Sequence, residues 1–245
     1  MRVSNVADPE RSKAQWYNLM RTLEEDVGAE LERMTPIEGL PDLVFTANAG
    51  LTHDGKTVIS RFRHPERQGE EEYFERWFTE HNYSVIPLEG ENYFEGAGDL
   101  LGFADTWFGG YRQRSDIAAY AALSEIYGKE ILPLELVNDK FYHLDTCFCP
   151  LSGGELLYYP SAFDSYAQDA ISNRIEEHRR LTVPQFEAER FACNAVCVDR
   201  HVVLPSDCGE TMDLLKHHGY TTHSVKLDEF FKSGGSAKCL TLALD

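Results

Sequence analysis

The sequence has no long apolar run and no region dominated by one residue type. A membrane-spanning helix needs about 20 consecutive apolar residues, and no run in this chain of 245 residues approaches that length. Glycine (18 residues) and proline (10 residues) are too few for a collagen-like or low-complexity chain. The residues after Met1, RVSNVADPERSK, are polar, so we expect no signal peptide.

Basic residues are scarce beside acidic ones, with 23 lysines and arginines against 41 aspartates and glutamates and a net charge of -18. The negative electrostatic field of such a chain repels nucleic acid and anionic membranes and favours cationic ligands. We therefore expect neither nucleic acid nor a membrane as a partner. The six cysteines are too dilute for a disulfide scaffold. We therefore expect free thiols in a reducing cytoplasm.

No linker rich in proline, serine or glycine divides the chain, so the sequence predicts a single domain over residues 1–245. Within it the segments FTANAG, FEGAGD, FYHLDT and FACNAV begin at Phe45, Phe94, Phe141 and Phe191. They recur at intervals of about 50 residues, which is typical of a repeat architecture. The alternative is chance spacing of apolar runs.

Each period predicts two strands, an amphipathic helix and a returning strand. The predicted strands lie at 43–51, 56–62, 83–89, 130–137, near 142–150 and 155–160, and in CNAVCV, HVVLPS and YTTHSVKL. The predicted helices lie at 70–82, 115–128, within 165–180, and in GETMDLLKHHG. The helix at 70–82 and the charge run RQGEEE before it are expected to be solvated structure.

The fifth copy is split between the two ends of the chain. AKCLTLALD supplies a strand, while ADPERSKAQWYNLMRTLEEDVG and AELERM supply the helix and the return strand. Pairing the termini closes a ring, so the sequence predicts an α/β protein with the fold of a five-bladed α/β propeller. Its remaining strand would precede Met1, so we expect an N-terminal strand to be missing; a stunted strand at Met1–Asn5 is the alternative. An open sheet edge favours pairing with a second copy, so a homo-oligomer is one expectation.

Radial folds place the starts of their inner strands around a central channel. The ring therefore predicts that five residues converge on one axial pocket: Asn48, Glu95, His143, Asp145 and Cys239.

The segment HLDTCFC has a polar character that packing alone does not explain. On a strand, His143, Asp145, Cys147 and Cys149 would share one face. A solvated strand face with two small buried thiols is one interpretation. A metal site formed by His143, Cys147 and Cys149 is another, although the usual CxxC or HxxxH spacing is absent.

Two further motifs contain candidate groups. FEGAGD places Glu95 and Asp99 among glycines, which suggests backbone crowding and a carboxylate-lined pocket for a cation; a phosphate loop would need a lysine. SGGSAKCLTL places Cys239 at the start of an apolar strand. A buried structural cysteine is the commoner fate of such a residue, but His143 and Glu95 would supply the partners that a nucleophilic thiol needs.

Together these motifs resemble the guanidine-modifying enzymes, which comprise amidinotransferases, arginine deiminases and dimethylarginine dimethylaminohydrolases. The resemblance rests on PDLVFTANAGL, FEGAGDLL, the arginine of GGYRQRSD, FYHLDTCFCPL and GGSAKCLTL, and it extends over the chain from Gln15 onward. SRF-H-ERQGEE (60–71) and LLYYPSAFDSY (156–166) are most similar to the arginine dihydrolases of cyanobacteria. The resemblance also implies the five-bladed propeller.

The resemblance implies catalytic roles for Cys239 as nucleophile and His143 as general acid and base. Glu95 and Asp145 match carboxylates that bind the guanidinium group. Two carboxylates can hold such a planar cation through charge-assisted hydrogen bonds, and a thiolate can attack its central carbon.

The remaining matches concern the substrate pocket. Arg114 matches an arginine that holds the substrate's α-carboxylate, and Asp42 matches a pocket acid. Asn48 stands where deiminases have an aspartate, and its amide can meet the carbonyl of citrulline. Relatives have about twenty more residues at the front, including a substrate-contacting asparagine.

These residues predict a cysteine-dependent hydrolase that converts arginine to ornithine, ammonia and carbon dioxide, with no metal or organic cofactor. L-arginine, or a related guanidine, is the expected small-molecule substrate. The alternatives are an amidinotransferase, an enzyme of the dimethylarginine dimethylaminohydrolase type, and a non-catalytic binding protein.

Overall fold

The computed structural model describes residues 7–244. The chain divides into two compact units. The first contains Met1–Arg33, Thr146–Tyr159 and Glu177–Lys238, and the second contains Met34–Asp145, Pro160–Glu176 and Cys239–Asp245. The single domain expected from the sequence stays a prediction. Over the described residues no helix has both the length and the apolar character needed to cross a bilayer.

The strands of the described residues form four sheets of three strands each. The strands are β1 (Gly50–His53), β2 (Lys56–Ile59), β3 (Ser84–Val85), β4 (Leu100–Phe103), β5 (Thr106–Tyr111), β6 (Glu130–Glu135), β7 (Phe148–Pro150), β8 (Leu156–Tyr158), β9 (Arg180–Thr182), β10 (Val196–Val198), β11 (His201–Pro205) and β12 (Thr221–Val225). The α-helices are α1 (Pro9–Arg21), α2 (Pro65–Gln68), α3 (Glu71–Glu80), α4 (Ala119–Tyr127), α5 (Ser165–Arg174), α6 (Gln185–Ala188), α7 (Gly209–His217) and α8 (Asp228–Phe231).

All four sheets have the same topology. The first two strands of each form an antiparallel hairpin, and the third strand runs parallel to the second. A parallel return requires a crossover, and a helix lies between the second and third strands of every sheet in the sequence. The predicted order of two strands, a helix and a strand is therefore confirmed for four copies of the repeat.

Two apolar clusters form the core of the second unit. Helix α3 buries Phe74 and Phe78 against Phe62 and Leu43. Helix α4 buries one face against residues around β4 and β5, including Phe94, Leu100 and Trp107. Both clusters also contact Leu242 near the chain end. This packing fixes the segments that precede β1 and β4, and those segments carry candidate site residues.

In the first unit, carboxylates anchor helix ends, one of them exposed (Asp8) and one buried (Glu187). The Asp8 side chain caps α1 by accepting a hydrogen bond from the Arg11 backbone N–H at 3.0 Å. Glu187 accepts hydrogen bonds from the backbone N–H groups of Glu210 and Thr211, both at 2.8 Å, in the first turn of α7. Because carboxylates are favoured at the positive end of a helix dipole, both contacts stabilise the helices that pack in this unit.

The inner strands begin later than the sequence predicts. Residues 43–49 do not form a strand; Pro41–Val44 and Thr46–Asn48 are 3-10 turns, and β1 starts at Gly50. Likewise Leu144–Thr146 is a 3-10 turn and the strand starts at Phe148. The Leu144 N–H donates to the Asp99 carboxylate at 3.0 Å, which turns the backbone away from an extended ladder. The predicted strand-face alternation of His143 and Asp145 was therefore wrong.

Two strands predicted for the fifth copy are absent from the described residues. Residues 29–34 have no regular structure, and Cys239 lies in a turn followed by an irregular segment through residue 244. That segment still runs beside the first sheet, since the Ala47 N–H donates to the Cys239 carbonyl at 3.1 Å and Thr52 Oγ1 donates to the Ala243 carbonyl at 3.1 Å. The alternative stunted strand at Met1–Asn5 lies outside the described residues.

Candidate active site

The eight predicted site residues all lie in the second unit, although they come from separate stretches of the chain. The turns that precede the first strands of the repeats hold several of them. Asn48 ends the turn before β1, Glu95 precedes the turn Gly96–Gly98 before β4, and Asp145 lies within Leu144–Thr146. A side chain in a turn between packed elements can point along the strand ends instead of alternating between two faces of a sheet.

The two glycines of FEGAGD permit the close approach of these turns. Gly96 has φ +64°, and a side chain there would place its Cβ 2.8 Å from the Gly50 carbonyl oxygen. A side chain at Gly98 would collide with the Asn48 amide. The backbone crowding expected from the sequence is confirmed.

Glu95 and His143 form a buried hydrogen-bonded pair. Their Oε2 and Nε2 atoms are 2.6 Å apart, and the residues are 0% and 2% exposed. Arg114 Nη1 lies 3.3 Å from the same Oε2, and the Arg63 backbone N–H donates to Oε1 at 3.2 Å. Burial alone would raise the pKa of Glu95, but the hydrogen bond and charge of His143, together with Arg114, lower it to about 2. Glu95 is therefore a carboxylate at every pH near neutrality.

Cys239 lies against the second carboxylate of the site. Its thiol is 3.6 Å from Asp145 Oδ2 and 3.8 Å from Oδ1, and the residue is 4% exposed. Asp145 itself is buried and lies in the turn Leu144–Thr146, which directly follows His143. The Cys239–Asp145 contact and the His143–Glu95 contact therefore involve residues only two positions apart in the chain.

Asn48 joins the Glu95 segment to a buried arginine. Its Nδ2 donates to the Glu95 carbonyl at 2.8 Å, and its Oδ1 accepts from Arg67 Nη1 at 2.9 Å. Asp42 is half-buried, and its backbone carbonyl accepts from Arg67 Nη2 at 3.2 Å. Arg67 therefore ties together the two segments that contain predicted substrate-pocket residues.

Tyr142 is a neighbour of the site that sequence reasoning missed. The Arg114 guanidinium lies 4.6 Å from the centre of the Tyr142 ring, a cation–π contact. Burial, then the nearby Cys239, raises the pKa of Tyr142, so its hydroxyl stays protonated. Tyr142 precedes His143 in FYHLDT, so an aromatic residue beside a candidate base was the available signal.

Asp99 connects three segments from within the core. Its Oδ1 accepts from the Leu144 N–H at 3.0 Å, and its Oδ2 accepts from Ser115 Oγ at 2.6 Å. Ser115 Oγ in turn accepts from the Glu95 N–H at 3.0 Å. Burial raises the pKa of Asp99 to about 6, although the charge of His143 and the Ser115 hydrogen bond oppose that shift. Its predicted substrate contact stays a prediction.

The raised pKa of Asp99 gives a stability dependence with a definite sign. Between pH 4 and 6 the folded state keeps a proton that the unfolded state, with a model value of 3.8, has lost. This group therefore makes the free energy of unfolding fall as pH rises through that window. We expect Asp99→Asn to gain stability relative to the wild type from pH 4 to pH 6, by up to a few kcal/mol.

Denaturant unfolding of both proteins at half-unit pH steps measures that difference. Above pH 6 the difference should be constant. A constant difference throughout pH 4–6 would show that Asp99 ionises at the same pH in both states.

A buried ion pair replaces part of the charge run that the sequence predicts to be solvated. In RQGEEE, Arg67 is 7% exposed and Glu70 is 1% exposed, with Arg67 Nη2 and Glu70 Oε2 2.7 Å apart. The prediction was wrong for these two residues because each neutralises the other, which lowers the cost of burial. Their spacing of three residues, opposite in charge, was a signal for the pair.

Among residues 7–244, no group of three or more histidine, cysteine, aspartate or glutamate side chains is arranged to hold a metal ion. The alternative metal set of His143, Cys147 and Cys149 is therefore not such a group. The six cysteines, all among the described residues, are thiols that form no disulfide, as expected. Cys193 and Cys208 are buried, whereas Cys197 is half-buried.

The chain matches a known protein family over nearly its whole length. The family described as "N,N dimethylarginine dimethylhydrolase, eukaryotic" matches residues 3–244. The chain belongs to this family. The resemblance to guanidine-modifying enzymes is thereby confirmed.

One relative of the chain is the bifunctional arginine dihydrolase/ornithine cyclodeaminase ArgZ of Synechocystis sp., which is 44% identical over 235 residues. That match covers 95% of this chain and 33% of ArgZ, so the chain spans one third of the relative's length. The N(G),N(G)-dimethylarginine dimethylaminohydrolase of Mycobacterium tuberculosis is 36% identical, over 100% of this chain and 79% of the relative.

Solved structures show the same relationship within the family. The N-terminal domain of ArgZ from cyanobacteria, as a cysteine-to-serine variant bound to substrate, matches with a TM-score of 0.94 and 42% identity, covering 96% of this chain and 87% of that one. A second variant of that domain, covalently bound to a reaction intermediate, matches equally well, with a TM-score of 0.94.

Proposed function

We propose that the chain is a cysteine-dependent hydrolase of arginine-type guanidinium substrates, and specifically an arginine dihydrolase. The observation that carries the proposal is the joint placement of Cys239 beside Asp145 and of His143 against Glu95 within one unit. The similarity to ArgZ structures bound to substrate and to an intermediate supports the same chemistry.

The substrate cation is held by carboxylates. A guanidinium ion is planar and always protonated near neutral pH, and Glu95 and Asp145 can accept its N–H groups in charge-assisted hydrogen bonds. Arg114 would hold the substrate's α-carboxylate at the other end, and Asp42 and Asp99 would line the pocket. The net charge of -18 favours arrival of a cation.

The nucleophile is the thiolate of Cys239. A carboxylate 3.6 Å from the sulfur opposes its ionisation, and a bound guanidinium cation offsets that repulsion. Substrate binding therefore favours the reactive form of the enzyme. The sulfur attacks the central guanidinium carbon, forming a C–S bond and a tetrahedral adduct.

His143 transfers the protons of the reaction. It protonates the departing nitrogen, the C–N bond breaks, and ammonia leaves a thiouronium on Cys239. Neutral His143 then removes a proton from water, which attacks the same carbon; the C–S bond breaks and citrulline and the thiolate are released. Glu95 holds the imidazole in place and stabilises its cationic form.

A second round acts on citrulline. Its neutral ureido group presents a carbonyl oxygen, which an amide N–H of Asn48 can meet where an aspartate would repel it. Attack by Cys239 releases a second ammonia and leaves a thiocarbamate, whose hydrolysis gives ornithine and carbon dioxide. None of these steps uses a metal or an organic cofactor.

Incubation with arginine tests the proposal, with citrulline, ornithine and ammonia followed over time. We expect two ammonia molecules for each ornithine, with citrulline as a transient. If citrulline accumulates as the end product, with one ammonia for each arginine consumed, the dihydrolase assignment fails and a deiminase remains. No consumption of arginine would overturn hydrolysis of arginine altogether.

A second candidate is hydrolysis of methylated arginines, which the family match and the Mycobacterium tuberculosis relative favour. The same attack on dimethylarginine would release dimethylamine and citrulline. Competition between arginine and dimethylarginine, with both amines quantified, separates the two. A larger kcat/KM for dimethylarginine would favour this second function.

We also propose that the four sheets are blades of a five-bladed α/β propeller, which the sequence repeat and the TM-score of 0.94 to ArgZ support. The homo-oligomer and the cytoplasmic location stay predictions.

A further inference from the structure

Arg67 is buried in the second unit and holds a network of hydrogen bonds outside the proposed catalytic residues. Its Nη1 donates to Asn48 Oδ1 at 2.9 Å, while its Nη2 donates to the Asp42 carbonyl at 3.2 Å. The guanidinium plane lies 4.3 Å from the centre of the Phe62 ring. These contacts fix the guanidinium in one position.

The donor-only chemistry of Arg67 determines which way the Asn48 amide faces. A guanidinium has donors and no acceptor, so it can meet only the oxygen of the amide. On the opposite side, the Glu95 carbonyl is an acceptor and can meet only Nδ2, which it does at 2.8 Å. A flipped Asn48 amide would place its N–H groups against those of Arg67 and its oxygen against the Glu95 carbonyl oxygen. The unflipped amide directs one N–H to Glu95 and leaves its second N–H for a ligand.

Glu70 is the counter-ion that holds Arg67 in this position. Its carboxylate accepts from Arg67 Nε at 3.1 Å and from Nη2 at 2.7 Å, so one edge of the guanidinium is held by two hydrogen bonds. Burial raises the pKa of Glu70, an effect opposed by Arg67 and assisted by the charges of Asp42 and Glu95. Without this carboxylate the Arg67 charge would be buried with neutral partners alone, and the site would favour rearrangement or hydration.

We propose that Glu70 is a positioning residue that acts through Arg67 to orient the Asn48 amide for hydrolysis of citrulline. The inference rests on the proposed function and adds a residue with no direct role in bond making. Its effect should fall on the second round, because the cationic substrate of the first round is held by carboxylates, while neutral citrulline depends on the amide N–H.

The test compares Glu70→Gln with the wild type on two substrates supplied separately, arginine and citrulline. We expect kcat/KM for citrulline to fall at least about tenfold further than kcat/KM for arginine. Citrulline should then accumulate during arginine turnover. The matched control is Glu71→Gln, since the neighbouring half-buried Glu71 accepts from the Phe62 N–H and leaves the Arg67 pair intact. The control should keep the wild-type ratio.

A double-mutant cycle separates positioning from general loosening of the site. In an Asn48→Ala background, Glu70→Gln should change the ratio of the two kcat/KM values by less than about twofold, because its target is gone. Equal losses on both substrates in the single variant would overturn the proposal. So would an undiminished effect of Glu70→Gln in the Asn48→Ala background.

A crystal structure of Glu70→Gln tests positioning apart from turnover. We expect the Arg67 guanidinium to move and the Asn48 amide to rotate or lose its bond to the Glu95 carbonyl. An amide left in place would overturn the inference. If the wild type does not consume arginine, the proposed function fails, and the crystal structure still decides whether Glu70 orients Asn48.

Discussion

Replacing Cys239 with serine is expected to lower kcat for arginine by at least about 10⁴-fold while arginine still binds. A serine hydroxyl is almost entirely protonated at neutral pH, whereas a thiol beside a bound cation ionises readily. The carboxylates Glu95 and Asp145 remain, so the guanidinium keeps its partners. Calorimetric titration with arginine and a sensitive ammonia assay measure the two quantities separately.

Cys197→Ser is the matched control for this substitution. Cys197 is a half-buried free thiol on β10, and its sulfur contacts Ser152. We expect this variant to keep kcat within about twofold of the wild type. Turnover by Cys239→Ser within tenfold of the wild type would falsify the assignment of the nucleophile.

Replacing Glu95 with glutamine is expected to lower kcat/KM for arginine by about 10³-fold. In the proposed mechanism, the substitution removes a charge that both holds the guanidinium and stabilises the cationic form of His143. It also leaves Arg114 without its carboxylate partner at 3.3 Å. Because the pKa of Glu95 is lowered to about 2, the carboxylate is ionised throughout the neutral range, so the wild type carries this charge from pH 6 to pH 8.

The same substitution has a signed effect on stability. The folded pKa of Glu95 lies below its ordinary value of 4.5, so ionisation stabilises the fold above pH 4.5, and this contribution is lost as pH falls toward 2. Glu95→Gln should therefore be destabilised at pH 7 and approach the wild type on acidification. Unfolding at several pH values measures the difference, with Glu130→Gln, an exposed partner of Arg174, as control. A difference that stays constant between pH 7 and pH 3 would contradict the lowered pKa.

The sequence repeat predicted most of the fold because its signals are local. Helices α3 and α4 follow the apolar periodicity, and each hairpin follows from two short apolar runs separated by a turn. The motifs also predicted that residues distant in sequence would meet. Glu95 and His143 come from different repeats and lie 2.6 Å apart.

The remaining features depend on tertiary contacts that periodicity does not record. The strand predicted at 142–150 is interrupted because the Leu144 N–H bonds to Asp99, a residue from another repeat. The burial of Arg67 and Glu70 depends on their mutual neutralisation and on the Asn48 and Asp42 acceptors. Tyr142 belongs to the surroundings of the site through its cation–π contact with Arg114, which periodicity does not record either.

Alkylation of Cys239 tests the central claim most directly. The protein is treated with iodoacetamide, and the fraction modified at each cysteine is measured by peptide mass alongside arginine turnover. Loss of turnover should track modification of Cys239, and saturating arginine should slow both. Full turnover of arginine by protein completely alkylated at Cys239 would contradict the account.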